Sequence, residues 1–239
     1  MSVKNQGTPA ASQTRPEEKA HFPERLNDFM RANRIAILTF IVLIVIAVAA
    51  LGIAAFITQD RLAKSTIALE TLESNYDAWT AISEDQRPGQ SAAILSEADA
   101  LISRYSREYA AQRARILKGL VLYELKDYAG AEDAYLGVSL AVPESHLAPV
   151  ALANAAAMAE ERGDTEAALA HLIEAENSYP GAPGAGRVSF SIGRIYEETR
   201  QFDKAMAAYG RLVALGNESD WTKLAHDRII YLRSLGLAK

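Results

Sequence analysis

Residues 114–143 read ARILKGLVLYELKDYAGAEDAYLGVSLAVP, and their pattern decides the fold because it returns twice later in the chain. The three 34-residue segments, repeat I (112–145), repeat II (149–182) and repeat III (186–219), begin at intervals of 37 residues. In each one, a short turn separates two stretches with the apolar periodicity of a helix. A regular spacing of this length is typical of stacked helical hairpins, which are individually too small to bury their apolar faces.

Each repeat places small and large side chains at matching positions. We expect the small residues to let two helices approach closely, the large ones to fill the space beside them, and the prolines to end the second helix. These positions hold Gly119, Ala131, Tyr135, Val138 and Pro143 in repeat I; Ala156, Ala168, Leu172, Ala175 and Pro180 in repeat II; and Gly193, Ala205, Tyr209 and Leu212 in repeat III, where Asn217 replaces the proline.

This arrangement resembles the tetratricopeptide repeat, a helix–turn–helix unit. At the turn of repeat I, Lys126-Asp127-Tyr128 stands where that family has Gly-Asp-Tyr, and repeat II has Gly163-Asp164-Thr165. The resemblance implies an all-α fold, an α-solenoid whose first helices line a concave face that binds other proteins. By frame position, the implied protein-binding residues are Arg113, Ile116, Leu120, Tyr123, Phe190, Arg194 and Glu197. The lysines and asparagine of repeat proteins that grip an acidic chaperone tail are missing from this face.

Two flanking regions extend the array. Residues 58–110 predict an atypical first repeat, with one helix from Leu62 to about Ser83, a break at Pro88-Gly89 and a second helix over 92–105. At the other end, Asp220 is the expected N-cap of a capping helix over 220–236, because its side chain can accept a backbone hydrogen bond.

The most apolar stretch lies ahead of the repeats. Residues 35–57 read IAILTFIVLIVIAVAALGIAAFI, with no charge and with Thr39 as the one polar side chain. As a helix this run would be about 34 Å long, enough to cross a hydrocarbon core of about 30 Å. It predicts a transmembrane helix. A cleaved signal peptide is the alternative, but the apolar run is longer than is usual for one and 34 residues precede it.

Basic residues around the run predict its orientation. Six precede it, namely Lys4, Arg15, Lys19, Arg25, Arg31 and Arg34, whereas Arg61 and Lys64 are the only ones after it before Arg87. The positive-inside rule therefore places the N-terminus in the cytoplasm and the repeats outside the cytoplasmic (inner) membrane, in the periplasm.

The N-terminal arm, residues 1–34, has two parts. Residues 1–20 are polar and without periodicity, so we expect disorder. From there to the membrane run, Phe22, Leu26, Phe29 and Met30 share one stripe, which predicts a short amphipathic helix at the membrane interface.

Composition argues against catalysis. The chain has 239 residues, no cysteine and a net charge of −5, so we expect no thiolate site and no nucleic-acid partner. The four histidines, His21, His146, His171 and His226, are too scattered for a metal site. The glycine-rich segment 181–186 lacks a preceding strand and a Gly-Lys-Ser/Thr ending, so it predicts a hinge and not a phosphate loop. We expect no enzyme activity and no cofactor.

The whole layout, with a basic arm, one span and an outer repeat array, resembles inner-membrane proteins of the YfgM type. That resemblance implies translocon subunits of the Sec system and periplasmic chaperones as partners. The alternative is a structural adaptor for cell-wall or outer-membrane machinery, or a self-associating scaffold. The sequence leaves the oligomeric state open.

Overall fold

The computed structural model describes residues 22–216 and 219–237. In this part, the chain is all α-helical, as the sequence predicts. The predicted disorder of residues 1–20 and the replacement at Asn217 lie outside the described residues. The described residues form ten helices: α1 (Phe22–Ala32), α2 (Arg34–Ala81), α3 (Arg87–Arg104), α4 (Tyr109–Glu124), α5 (Tyr128–Ala141), α6 (Ala148–Glu161), α7 (Thr165–Ser178), α8 (Ala185–Glu198), α9 (Phe202–Ala214) and α10 (Asp220–Ser234).

The chain forms two compact units, and the boundary between them lies between Thr58 and Gln59. The N-terminal unit contains α1 and the apolar part of α2, whose most hydrophobic window has no buried residue. The hydroxyl of Thr39 donates to the carbonyl of Ile35 at 2.9 Å, so the polar group of the run is satisfied within its own helix. Among the described helices, α2 alone is long and apolar enough to cross a membrane, a test that a signal sequence also passes.

In the C-terminal unit, α4/α5, α6/α7 and α8/α9 form the hairpins of repeats I to III. Their turns have the same backbone: Lys126, Gly163 and Arg200 all have positive φ, between 60° and 76°. The next residue's N–H bonds to the carbonyl five residues back, as from Asp127 to Leu122 at 2.9 Å. Lys126 and Arg200 adopt a conformation that suits glycine better, which explains the family's glycine at this position.

Aspartates start the second helix of two hairpins. The Asp127 carboxylate accepts from the N–H of Gly130 at 2.9 Å, and Asp164 accepts from that of Ala167 at 3.0 Å. Each aspartate caps an N–H group that would otherwise have no partner within its helix. The turn therefore both ends one helix and begins the next within a few residues.

Small residues on the first helix of each hairpin face a large residue on the second. A Cβ added to Gly119 would lie 2.6 Å from ring carbons of Tyr135, and one on Gly193 would collide with the ring of Tyr209 in the same way. Repeat II has Ala156 and Leu172 at these positions, both buried. The predicted close approach is confirmed. Burial raises the pKa of the Tyr135 phenol to about 12.

The apolar core runs along the array as four overlapping clusters. One joins α2, α3 and α4, the next α4, α5 and α6, the third α6 to α9, and the last centres on α9 and α10. Helices α4 and α6 each contribute to two clusters, so each hairpin packs against both of its neighbours. This is how stacked repeats bury faces that a single hairpin leaves exposed.

Two predicted boundaries are wrong. Helix α3 begins at Arg87, so Pro88 and Gly89 lie in its first turn, where proline is tolerated because that N–H has no helical partner. The break falls at residues 82–86 instead. At α10 the N-cap is Ser219, whose hydroxyl accepts from the N–H of Thr222 at 3.2 Å, and Asp220 is the first helical residue.

The Gly119–Tyr135 contact gives a stability prediction. Gly119→Ala should lower the free energy of unfolding by about 1–3 kcal/mol, because its methyl group overpacks against the ring. Urea unfolding of the full chain in detergent can be followed by tryptophan fluorescence, since both tryptophans, Trp79 and Trp221, belong to the C-terminal unit.

Gly210→Ala in α9 is the matched control, because nothing lies within 4 Å of its added Cβ. It should be neutral or stabilising by up to about 1 kcal/mol. Gly119→Ala with Tyr135→Leu recreates the Ala156/Leu172 pair and should cost less than the sum of its single variants. Equal stability of Gly119→Ala and Gly210→Ala would show that the close approach does not constrain the hairpin.

Candidate protein-binding face

The first helices of the hairpins, α4, α6 and α8, carry the seven residues predicted to bind a partner. The structure separates these residues into three groups. Tyr123 is exposed and Leu120 and Phe190 are half-buried; Arg113, Arg194 and Glu197 form ion pairs; and Ile116 is buried.

Ile116 and Phe190 pack against the apolar core. Ile116 packs in the cluster that joins α4, α5 and α6, so it is not available to a partner. The ring of Phe190 lies 5.4 Å from that of Tyr209 and 5.7 Å from that of Trp221, centroid to centroid. Phe190 therefore helps to fix α8 against α9 and α10.

Ion pairs link successive first helices. Arg113 of α4 binds Glu73 of α2 at 2.8 Å, Arg194 of α8 binds Glu160 of α6 at 2.6 Å, and Arg228 of α10 binds Glu197 of α8. Arg194 also reaches Glu198 on its own helix at 2.8 Å. Ion pairs therefore join α2 to α4, α6 to α8 and α8 to α10, which are three of the four steps from one helix of this face to the next.

The surroundings of these arginines shift their pKa values. Burial lowers the pKa of Arg194, but its hydrogen bonds to Glu160 and Glu198 outweigh that effect and raise it. The hydrogen bond to Glu197 raises the pKa of Arg228. Burial, with the neighbouring charge of Glu197, also raises the pKa of Tyr209, whose hydroxyl donates to that carboxylate at 3.0 Å. All three groups therefore stay protonated at neutral pH.

The step from α4 to α6 differs from the other three. Shifting Glu160 and Arg194 back by one 37-residue interval gives Tyr123 and Ala157, and among the described residues no ion pair joins α4 to α6. Tyr123 is 41% exposed, Val150 is also 41% exposed, and Ala157 is exposed. We call these residues, with half-buried Leu120 and Ala153, the α4–α6 patch.

Carboxylates border the patch. Glu124 follows Tyr123 and Glu161 follows Glu160, and both are exposed at the ends of their helices. Glu124 also pairs with Arg87 at 3.0 Å, which leaves it 40% exposed. The ring of Tyr123 lies 6.0 Å from that of Tyr128, which supports it from the start of α5. Carboxylates thus adjoin the Tyr123 end of the patch, which complements an apolar side chain that lies close to a cation, whereas exposed Arg187 lies beside Val150 and Ala153 at the other end.

Three residues of these ion pairs escaped the sequence analysis. Glu73, Arg87 and Arg228 lie outside the three repeats, so no frame position pointed to them. The contrast between Glu160/Arg194 and Tyr123/Ala157 was, however, visible in the 37-residue spacing.

The described residues offer no cluster of three or more metal-ligating side chains. In the glycine-rich segment 181–186, Gly184 has φ of 89° and is the N-cap of α8. Just before this segment, the hydroxyl of Tyr179 donates to the carbonyl of Pro143 at 2.6 Å. This segment links repeats II and III.

Stacked helical hairpins with a face formed by their first helices define a helical-repeat protein of the kind that serves as an interaction scaffold, and such scaffolds are typically not enzymes. The chain matches the tetratricopeptide repeat-like domain over residues 28–231, and it therefore belongs to that family.

One solved structure similar in fold is the crystal structure of the apo form of RapI, with a TM-score of 0.52 and 14% sequence identity. The similarity covers 72% of this chain and 53% of RapI, so the chain spans about half the length of that protein. At this identity the likeness concerns the fold alone. No curated protein matches the sequence significantly.

The repeat register gives a prediction for the α4–α6 patch. Tyr123→Glu with Ala157→Arg should install the ion pair that Glu160 and Arg194 form one repeat later. In a double-mutant cycle, urea unfolding should show a favourable coupling of about 0.2–1 kcal/mol between the new side chains.

The reverse exchange, Glu160→Tyr with Arg194→Ala, is the matched control. The two cycles should give couplings of similar size, because the two steps are geometrically equivalent. No coupling between positions 123 and 157, beside clear coupling between 160 and 194, would contradict that equivalence.

Proposed function

We propose that this chain is a single-pass membrane scaffold that holds other proteins at the outer face of the cytoplasmic membrane, through the α4–α6 patch. The patch carries the proposal, because an exposed tyrosine stands where the next repeat has an ion pair between helices. Tyrosine is one of the residue types that dominate binding energy at protein interfaces. No catalytic step is part of this role.

The membrane part of the proposal comes from α2 and its flanks. The uncharged run over 35–57 is long enough to span, and its most hydrophobic window has no buried residue among the described residues. Basic residues are denser before the run than after it, which favours a cytoplasmic N-terminus and periplasmic repeats. The span would then stay attached as an anchor.

The partner's chemistry follows from the patch and its border. A segment with an apolar or aromatic side chain near a lysine or arginine could place the first on Tyr123 and the second near Glu124 or Glu161. Unfolded polypeptides and their chaperones expose such segments. Together with the resemblance to the YfgM type, this favours Sec translocon subunits and periplasmic chaperones as the partners.

Photocrosslinking tests the binding face. With p-benzoylphenylalanine at position 123, full-length protein in native membranes should form crosslinks to other proteins, because that ring is exposed on the patch. Leu140 of α5 is the matched control position, since it is 79% exposed and lies on a second helix. Mass spectrometry of the adducts identifies the partners.

Adding Glu160→Tyr and Arg194→Ala should leave the crosslinks at 123 in place. A charge at position 157, from Ala157→Arg, should reduce them. Equal crosslinking from 123 and 140 would contradict binding at the patch, and adducts without translocon subunits or chaperones would remove that part of the proposal.

Self-association is the second candidate, and α10 favours it. Leu224, Ile230 and Tyr231 are 44%, 54% and 48% exposed on the terminal helix, where a repeat array normally has a polar outer face. If copies pair through this surface, the full chain in detergent should be dimeric by light scattering, and Ile230→Glu should make it monomeric. A monomeric wild-type chain across the micromolar range would exclude this candidate.

A further inference from the structure

Helix α1 has an apolar face that the described residues leave exposed. Leu26, Phe29 and Met30 are 47%, 59% and 50% exposed, and none of them belongs to a hydrophobic cluster of the described residues. Three large apolar side chains on eleven residues are costly to leave in water. A surface outside the described residues should therefore cover them.

The charges of α1 are sorted around this face. At about 100° per residue, Phe29 and Met30 lie within about 60° of Leu26 on the helix circumference. Arg25 lies at about 100° on one side and Arg31 at about 140° on the other. The two acidic residues of the helix, Glu24 and Asp28, lie about 160° from Leu26, on the opposite surface. Arg25 thus borders the apolar face, whereas Arg31 lies close to Glu24, and both acidic residues point away from the face.

Only a short link separates α1 from the apolar run. The backbone N–H and the side-chain amide of Asn33 both donate to the carbonyl of Phe29 at 3.0 Å, and α2 begins at Arg34. Met30 is therefore only five residues from Ile35, where the apolar run begins. If that run spans the bilayer, as proposed above, α1 is held at the level of the lipid headgroups.

We propose that α1 is a second membrane contact, whose apolar face inserts into the cytoplasmic surface of the bilayer and whose arginines bind the phosphates of anionic lipids. Arg25 provides one of these contacts from the helix, and Arg34 adds a second from the start of α2. Attraction to anionic lipids and burial of the apolar face together set the strength of such binding.

Spin labels on single cysteines test this arrangement, because the natural chain has no cysteine. Met30→Cys places the label on the apolar face, and Asp28→Cys places it on the acidic surface of the same helix. Each full-length variant is inserted into nanodiscs of phosphatidylcholine alone or with added phosphatidylglycerol. Accessibility of the label to oxygen and to a neutral nickel complex then reports its depth.

In anionic nanodiscs, the label at 30 should lie about 5–10 Å into the boundary between headgroups and acyl chains, and the label at 28 should lie in water. In neutral nanodiscs, and with Arg25→Gln and Arg34→Gln in the anionic ones, the label at 30 should move towards water. Equal accessibility at 28 and 30 would overturn the membrane contact. Equal depth at 30 in both lipids would overturn the recognition of anionic lipids.

Val45→Cys, in the middle of the apolar run, separates this inference from the proposed anchor. A label at 45 deep in the bilayer, with the label at 30 in water, would leave the anchor standing and reject the role of α1. A label at 45 in water would reject the span itself.

Discussion

The contact between a small residue on one helix and a large side chain on the next sets the geometry of the three repeat hairpins. Gly119 lets α4 approach the ring of Tyr135 so closely that even a methyl group would collide with it. Gly193 and Tyr209 make the same contact in repeat III. In repeat II the large residue is Leu172, which is smaller than tyrosine and leaves room for the methyl group of Ala156. Because each hairpin has the same spacing, its neighbours stack at the same interval, and the first helices come to share one face.

The proposed function rests on a place where this regularity fails. Equivalent positions in a repeat protein share a backbone environment, so their side chains can be compared directly. Arg194 and Glu160 join two helices, whereas Ala157 and Tyr123 leave the preceding step open and apolar. The proposed binding role would account for an exposed tyrosine at that place.

The fold could be predicted from the sequence because its determinants recur. The small and large positions, the turns at Asp127 and Asp164 and the apolar run all follow from local patterns. The start of α3 was missed because a proline can either break a helix or begin one, and only the packing of neighbouring segments decides between them. The ion pairs from Glu73 and Arg228 depend on residues 40 and 31 positions away from their partners, which no local pattern reveals. Likewise, Ile116 and Leu120 are both apolar, and only contact with α6 shows that the first is buried.

The central claim is that an uncleaved span holds the repeats outside the cytoplasm, and labelling of single cysteines tests it most directly. With Lys4→Cys or Leu140→Cys in otherwise cysteine-free protein, a membrane-impermeant maleimide is added to intact spheroplasts. The account predicts labelling at 140 and none at 4 until the membrane is broken, on a membrane-bound chain of the full 25.9 kDa. Labelling at 4 but not at 140, or a shortened chain released from the membrane, would contradict it.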